Sequence, residues 1–128
     1  MFLVTKAESE KPENRVGNIK KLNNMRHSYG NINANGTKKS GSGDWTVVKD
    51  SGSKGGYTII FEPPFKTMPT VVTDQNYPGW SDFNKSGGDS RDNTVIIALS
   101  NEKCKLKTGD SHGNGQDRNF TFIAIGEQ

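Results

Sequence analysis

The chain has 128 residues, a net charge of +3, 15 glycines and only 30% hydrophobic residues. This length permits one domain with a single core, and a hydrophobic content below the globular norm indicates a loop-rich fold, a disordered part of the chain, or both. The composition argues against a disulfide-stapled or helical membrane protein, because the single cysteine cannot form an intrachain disulfide and no apolar run is long enough to span a bilayer.

Residues 1–28 are predicted to be a leader, separate from the domain, that is flexible or docks on a partner. Its first half is charged and without period, which favours disorder. Apolar residues then recur at every third position, a spacing that fits either a short helix or an extended segment docking on a neighbouring subunit. These residues are Val16, Ile19, Leu22 and Met25.

Basic residues concentrate at the start of the chain. Residues 1–41 carry eight Lys or Arg against three Glu, whereas residues 42–128 carry nine against eleven acidic residues. A basic arm is one signature of nucleic-acid binding, but base stacking needs aromatic side chains, and none is interleaved with these charges before Tyr29. We therefore predict a solvated tether with no nucleic-acid partner.

Residues 29–128 are predicted to form an all-β domain, an antiparallel β-sandwich of about six to seven strands. Short runs of period-two apolar residues are separated by Gly, Pro, Asn and Asp clusters, without helical segments between them. The predicted strands begin, in chain order, near Tyr29, Trp45, Tyr57, Thr70, Thr94, Lys103 and Phe120.

Turn signals separate these strands. Asn35-Gly36 predicts a turn after the first strand, residues 40–43 a loop, and Pro63-Pro64 the end of the third strand. The fifth and sixth strands form a hairpin across residues 100–102. The last strand, residues 120–125, is apolar at nearly every position, which predicts a central strand or one covered on both faces.

Alternation also predicts the interior. Cys104 lies between Lys103 and Lys105, which places it on the inward face as a small buried hydrophobe rather than a nucleophile. The predicted core residues are Trp45, Tyr57, Phe61, Val95 and Phe122.

The longest polar loop, residues 76–92, is the first candidate binding site. Sugar recognition needs a flat aromatic face and planar polar groups, and this loop holds three aromatic residues, which is unusual for an exposed segment. The alternative is that the aromatic side chains fold back onto the core or pack in a subunit interface. The candidate ligand-binding residues of this loop are Tyr77, Trp80, Asp82, Asn84 and Arg91.

The loop of residues 109–118 is the second candidate. Asp110 and His112 have the spacing of two metal ligands, but a third ligand at a suitable spacing is missing, and a calcium loop needs more acidic oxygens. We predict no metal and no cofactor. The alternative to ligand binding is that the glycine-flanked polar residues only form turns.

Catalysis is not predicted. His27 and His112 are the only histidines, and neither lies in a nucleophile motif. The loop aspartates do not include a carboxylate pair that stands out as a glycosidase centre.

A resemblance to known modules extends over about residues 29–126. Its sequence blocks are GNINANG, GSGDWTV, GGYTIIF, PFKTMPTVV and FTFIAIG. This succession resembles domains at the C-termini of phage tail fibres and of bacterial secreted or surface proteins. Its middle part, an aromatic-rich strand followed by Pro-Phe and Pro-x-Val, is also similar to H-type lectins.

The H-type lectins are six-stranded β-sandwiches that assemble as trimers and bind sugars of the N-acetylgalactosamine type. The lectin resemblance places ligand-binding residues in the late hairpin, here at Asp110, His112, Asp117 and Arg118. Where the lectins carry a tryptophan in the final strand, this chain has Phe122-Ile123.

The sequence therefore predicts a recognition module rather than an enzyme. It would bind a carbohydrate or a cell-surface receptor through its polar and aromatic loops, as a homotrimer whose several sites add avidity. The alternative is a structural or assembly sandwich of a phage-tail-like or secreted particle, without a small ligand. Under both hypotheses the protein is expected to be extracellular or particle-associated without a cleaved signal peptide. Membrane insertion is not expected under either hypothesis.

Overall fold

The structure, a computed structural model, describes residues 24–128. This part of the chain is all-β and contains no helix, so it has none long and apolar enough to cross a membrane. Its eight strands are β1 Met25–Ile32, β2 Lys38–Gly41, β3 Trp45–Lys49, β4 Gly56–Phe61, β5 Thr70–Asn76, β6 Asn93–Leu99, β7 Lys103–Gly109 and β8 Asn119–Glu127.

The strands form two four-stranded antiparallel sheets, in the order β2-β1-β8-β5 and β3-β4-β7-β6. The predicted all-β sandwich is therefore confirmed. Strands β2 and β3 follow each other at one lateral side of the molecule, and β5 lies beside β6 at the other. We call these the β2–β3 side and the β5–β6 side.

The core lies between the sheets and follows the predicted alternation. Trp45 packs edge-on against Phe122, with ring centroids 5.0 Å apart, and Tyr57 packs against Phe120. Cys104 is fully buried, and burial raises the pKa of its thiol to about 11, which keeps it protonated and unreactive at neutral pH. The prediction of an inert inward cysteine is confirmed.

Two elements differ from the prediction at the start of the domain. Strand β1 begins at Met25, so four residues assigned to the leader belong to the first sheet. Strand β2 occupies part of the predicted loop 40–43, and all of its side chains are exposed. This strand pairs with β1, and its sequence, KKSG, has no apolar alternation that could have predicted it. The leader predictions for residues 1–23 lie outside the described residues.

A network of charged and polar groups closes the β2–β3 side. The Arg26 guanidinium donates from Nε to the Asp44 carboxylate over 2.8 Å and from Nη1 to the Pro63 carbonyl over 2.6 Å. Ser28 and Ser42 each donate to the same carboxylate over 2.6 Å. Both oxygens of the Asp44 carboxylate thus accept hydrogen bonds, and the next residue, the predicted core residue Trp45, is buried.

The β5–β6 side is different, and here one core prediction is wrong. Val95 faces outward opposite Lys107 and is half exposed. Strand β6 is apolar on both faces, and a bulge between Ile96 and Ala98 shifts its register. Alternation therefore could not indicate which face of this strand points inward.

Strand β8 is central in the first sheet, between β1 and β5, as predicted. Its inward residues, Phe120, Phe122 and Ala124, are buried, but Ile123 and Ile125 face outward and are exposed. The single subunit therefore covers only the inward face of β8, although the strand is apolar on both faces.

Candidate functional site

The largest cleft opens where β5 ends and the long loop begins, at the β5–β6 end of the molecule. It has a volume of about 400 Å³. Its walls come from the end of β5, from the returning part of the loop and from the residue before β8. The lining residues are Asp74, Gln75, Asn76, Tyr77, Gly88, Asp89, Ser90, Asp92 and Arg118. We call it the Tyr77 cleft.

Tyr77 supplies an aromatic wall. Its side chain is 48% exposed, and a methyl group built on Gly87 would overlap the Tyr77 hydroxyl. The glycine therefore lets the loop backbone pass directly beside the ring. Gly88, the next residue, has a φ of +103°, a conformation that side-chain-bearing residues rarely adopt. These two glycines shape the wall of the cleft around the tyrosine.

Ion pairs hold the polar groups of the cleft in place. Arg118 donates from Nη1 to the Asp92 carboxylate over 2.9 Å, and their side chains are only 24% and 16% exposed. Asp89 receives two side-chain bonds from Arg91, which hold the pKa of its carboxyl well below its usual range. Asp89 therefore remains an ionised acceptor, and an arginine fixes the orientation of each carboxylate.

The amide of Asn76 is the least satisfied polar group in the cleft wall. Its Nδ2 atom is buried and has no hydrogen-bond partner among the described residues. Nearby, Asp74 accepts only the backbone N–H of Gln75 in its own strand, and no cation pairs with it within residues 24–128. A buried donor without an acceptor lowers the stability of the fold.

A second cleft of about 300 Å³ lies behind the same loop segment. Ser90 and Asp92 line the Tyr77 cleft, whereas Arg91, between them, lines the second. The segment is a turn in which the Asp92 N–H donates to the Asp89 carbonyl over 3.0 Å, and it forms a wall shared by both clefts. Asp110 also lines the second cleft.

The predicted residues of the loop 109–118 have mainly local partners. The Asp110 carboxylate accepts the backbone N–H groups of Asn114 and His112, which lower its pKa. His112 is exposed, and its ring lies 3.4 Å from the hydroxyl of Ser111. These contacts are those of a polar turn.

Asp117 and Arg118 tie this loop to other parts of the sandwich. Asp117 pairs with Lys49 over 2.8 Å and accepts the N–H of Gly55, with the bond from Lys49 as the main cause of its lowered pKa. Arg118 is the only one of the four predicted residues in this loop that reaches the Tyr77 cleft.

Trp80 lies away from the Tyr77 cleft. It adopts a positive φ of 46°, and its indole Nε1 donates to the Asn33 side chain over 3.1 Å. The Lys39 ammonium lies 5.3 Å from its ring. The half-buried tryptophan therefore anchors the long loop on the β1–β2 turn.

Asp82 and Asn84 lie beyond Trp80 in an exposed turn, where the Asp82 carboxylate accepts the Asn84 backbone N–H. The structure thus brings Tyr77 and Arg118 together in one cleft and Arg91 and Asp110 in the other. The remaining five predicted residues, Trp80, Asp82, Asn84, His112 and Asp117, lie outside both clefts.

Six polar residues of the Tyr77 cleft were not among the predicted site residues. They are Asp74, Gln75, Asn76, Asp89, Ser90 and Asp92. Asp74 and Asn76 lie on β5. The pairing register of β5 with β8 determines which residues of the strand reach the cleft. Asp89 and Asp92 lie in the predicted loop, and their proximity to arginine in the sequence was the one usable signal.

No group of three or more His, Cys, Asp or Glu side chains suited to a metal occurs within residues 24–128. Comparison of the chain with protein-family models, curated proteins and solved structures finds no match. The resemblance to tail-fibre domains and H-type lectins therefore stays a prediction from the sequence.

Proposed function

We propose that the protein is a non-enzymatic recognition module that binds a carbohydrate, free or on a cell-surface receptor, in the Tyr77 cleft, and that it acts as a homotrimer. The observation that carries this proposal is the combination, in one open cleft, of a half-exposed aromatic ring and a fixed arginine–carboxylate pair.

Each of these groups suits a sugar. The C–H face of a pyranose packs on a flat aromatic ring, which Tyr77 offers at low entropic cost because it has few rotatable bonds. Sugar hydroxyls both donate and accept. The Asp92 and Asp89 carboxylates accept, while the Arg118 guanidinium donates. The ion pairs with Arg118 and Arg91 preorganise the acceptors, which lowers the cost of binding.

A single shallow site of this size binds weakly, so a trimer with three sites would gain avidity on a surface carrying many copies of the glycan. The exposed apolar residues on the outer face of β8 support self-association, since isolated subunits rarely leave such rows exposed.

Glycan-array binding by the full chain tests the proposal. We expect the Tyr77→Ala variant to lose binding to every glycan that the wild-type protein binds on the array. Tyr29→Ala is the matched control, because Tyr29 is equally exposed at 52% but lies on β1, outside the cleft. Binding that survives Tyr77→Ala would refute the cleft, and a wild-type protein that binds no glycan would refute carbohydrate recognition.

The second candidate is a structural or assembly module of a larger particle. The exposed apolar row formed by Tyr29, Ile123 and Val72 on adjacent strands favours it. A stable oligomer together with a flat glycan array would support this function instead of the first.

A further inference from the structure

The tip of the long loop carries an exposed aromatic side chain without a function in the Tyr77 cleft. Phe83 is 93% exposed, the most exposed of the large hydrophobic residues in the described chain, and it does not line the cleft. Full exposure of a phenylalanine ring to water is unfavourable relative to burial. The loop is anchored behind it by Trp80, so the ring is presented outward.

A groove of suitable character lies on the outer face of the first sheet. It has a volume of about 310 Å³ and runs between β5 and β8. Val72 lies opposite Ile123, and Asp74 lies opposite Thr121, so four outward side chains form its walls. Val72 and Ile123 are 66% and 50% exposed. We call it the Val72 groove.

The charges at the two places are complementary. Asp74 is the one charged residue that lines the Val72 groove, and it has no cationic partner within residues 24–128. Lys85 follows Phe83 by two positions, is exposed, and pairs with no carboxylate among the same residues. An apolar projection with a nearby cation therefore matches an apolar groove with a nearby anion.

We propose that Phe83 of one copy inserts into the Val72 groove of a second copy, with Lys85 pairing with Asp74 across the contact. Because the two surfaces are different parts of the chain, the contact is heterologous, and in the proposed trimer it closes into a ring because a three-fold rotation relates the copies. This inference rests on the homo-oligomeric part of the proposed function and assigns its interface. Asp74 also lines the Tyr77 cleft, so each sugar site would lie at a subunit boundary.

Light scattering after size-exclusion chromatography of the full chain and its variants tests this contact. Phe83→Ser and Ile123→Lys should each yield monomers, with association weakened about tenfold or more. Both residues are exposed, so circular dichroism should show unchanged folding. Tyr29→Ser, on the same sheet face but outside the groove, is the control and should remain oligomeric.

Mixing separates this contact from a symmetric one. A chain with Phe83→Ser keeps its groove, and a chain with Ile123→Lys keeps its projecting ring, so an equimolar mixture should give a heterodimer with one intact contact. A symmetric face-to-face interface would give none. The exchange of charges provides a second test, because Lys85→Asp and Asp74→Lys should each weaken association and restore it in combination.

A wild-type monomer, or an oligomer unaffected by Phe83→Ser and Ile123→Lys, would overturn the proposed contact. Glycan binding measured on the same variants keeps the two proposals apart. Monomeric variants that still bind glycan support both proposals. An oligomer that Phe83→Ser dissociates, together with no binding on the glycan array, supports the contact and refutes the sugar site.

Discussion

The two lateral sides of the sandwich handle their polar groups in opposite ways. On the β2–β3 side, Arg26, Asp44 and two serines satisfy one another in a closed network. On the β5–β6 side, the buried atoms Asn76 Nδ2 and Thr94 Oγ1 have no partner among the described residues, and apolar residues of β6 face solvent. The polar groups of the first side satisfy one another, whereas the second side leaves two buried groups unsatisfied.

The largest expected effect is on the closed side. Arg26→Ala removes the cation and leaves the Asp44 carboxylate with its hydroxyl donors alone, so we expect the free energy of unfolding to fall by about 3 kcal/mol. Arg91→Ala breaks an ion pair of similar geometry on an exposed surface. This substitution should change the free energy of unfolding by less than about 0.5 kcal/mol. Urea denaturation of both variants measures the difference, and equal losses would contradict it.

Substitutions at two glycines should have smaller effects on the free energy of unfolding. A methyl group at Gly30 would overlap the buried Trp45 ring, so Gly30→Ala should destabilise by roughly 1–3 kcal/mol. At Gly87 the obstacle is the movable end of Tyr77, so Gly87→Ala should leave stability nearly unchanged but weaken glycan binding. Gly43, whose added methyl group would meet nothing within 4 Å, provides the control. Thermal unfolding together with glycan binding would show whether the effects separate.

The pH dependence of stability should also originate mainly on the closed side. Burial raises the pKa of Asp44, but hydrogen bonds from Ser28, Ser42 and Arg26 outweigh this and lower it overall. The pKa of Asp44 in the folded protein is therefore below its pKa in the unfolded chain, which is about 3.9. The stabilisation is therefore complete above the unfolded pKa and is lost as the pH falls through the folded pKa.

Unfolding measured from pH 6 down to pH 2 should show this acid-linked loss in the wild type and a smaller loss in Asp44→Asn. The variant should be less stable at neutral pH, because its side chain carries no charge for Arg26. Identical pH profiles for the two proteins would assign the acid sensitivity to other carboxylates, such as Asp117, whose pKa is lowered by Lys49.

The smallest effect is expected on β6. Ile97 is half exposed in the bulged part of this strand, so Ile97→Thr should change the free energy of unfolding by no more than about 0.5 kcal/mol. Chemical denaturation checks it. A loss of several kcal/mol would mean that the β5–β6 side is packed in solution, for instance against another subunit.

The sequence predicted the fold better than the site. Period-two alternation placed Trp45, Phe61 and Cys104 inside correctly, because polar residues such as Thr46, Thr58 and Lys105 lie on the opposite faces of their strands. It failed for Val95, since β6 is apolar on both faces, and for β2, which has no apolar residue at all. In the site, Tyr77 and Arg118 were predicted, but Asp74 and Asn76 join the cleft only through strand register and loop path, which no local pattern encodes.

The central claim is that ligand recognition belongs to the β5–β6 side, in the Tyr77 cleft. The most direct measurement is a map of backbone amide chemical shifts by NMR during titration with a glycan retained on the array. We expect shifts at Asn76, Tyr77 and residues 88–92 and at Arg118, with none across Arg26 and residues 42–45. Shifts confined to the β2–β3 side, or absent from the cleft at saturating glycan, would contradict the account.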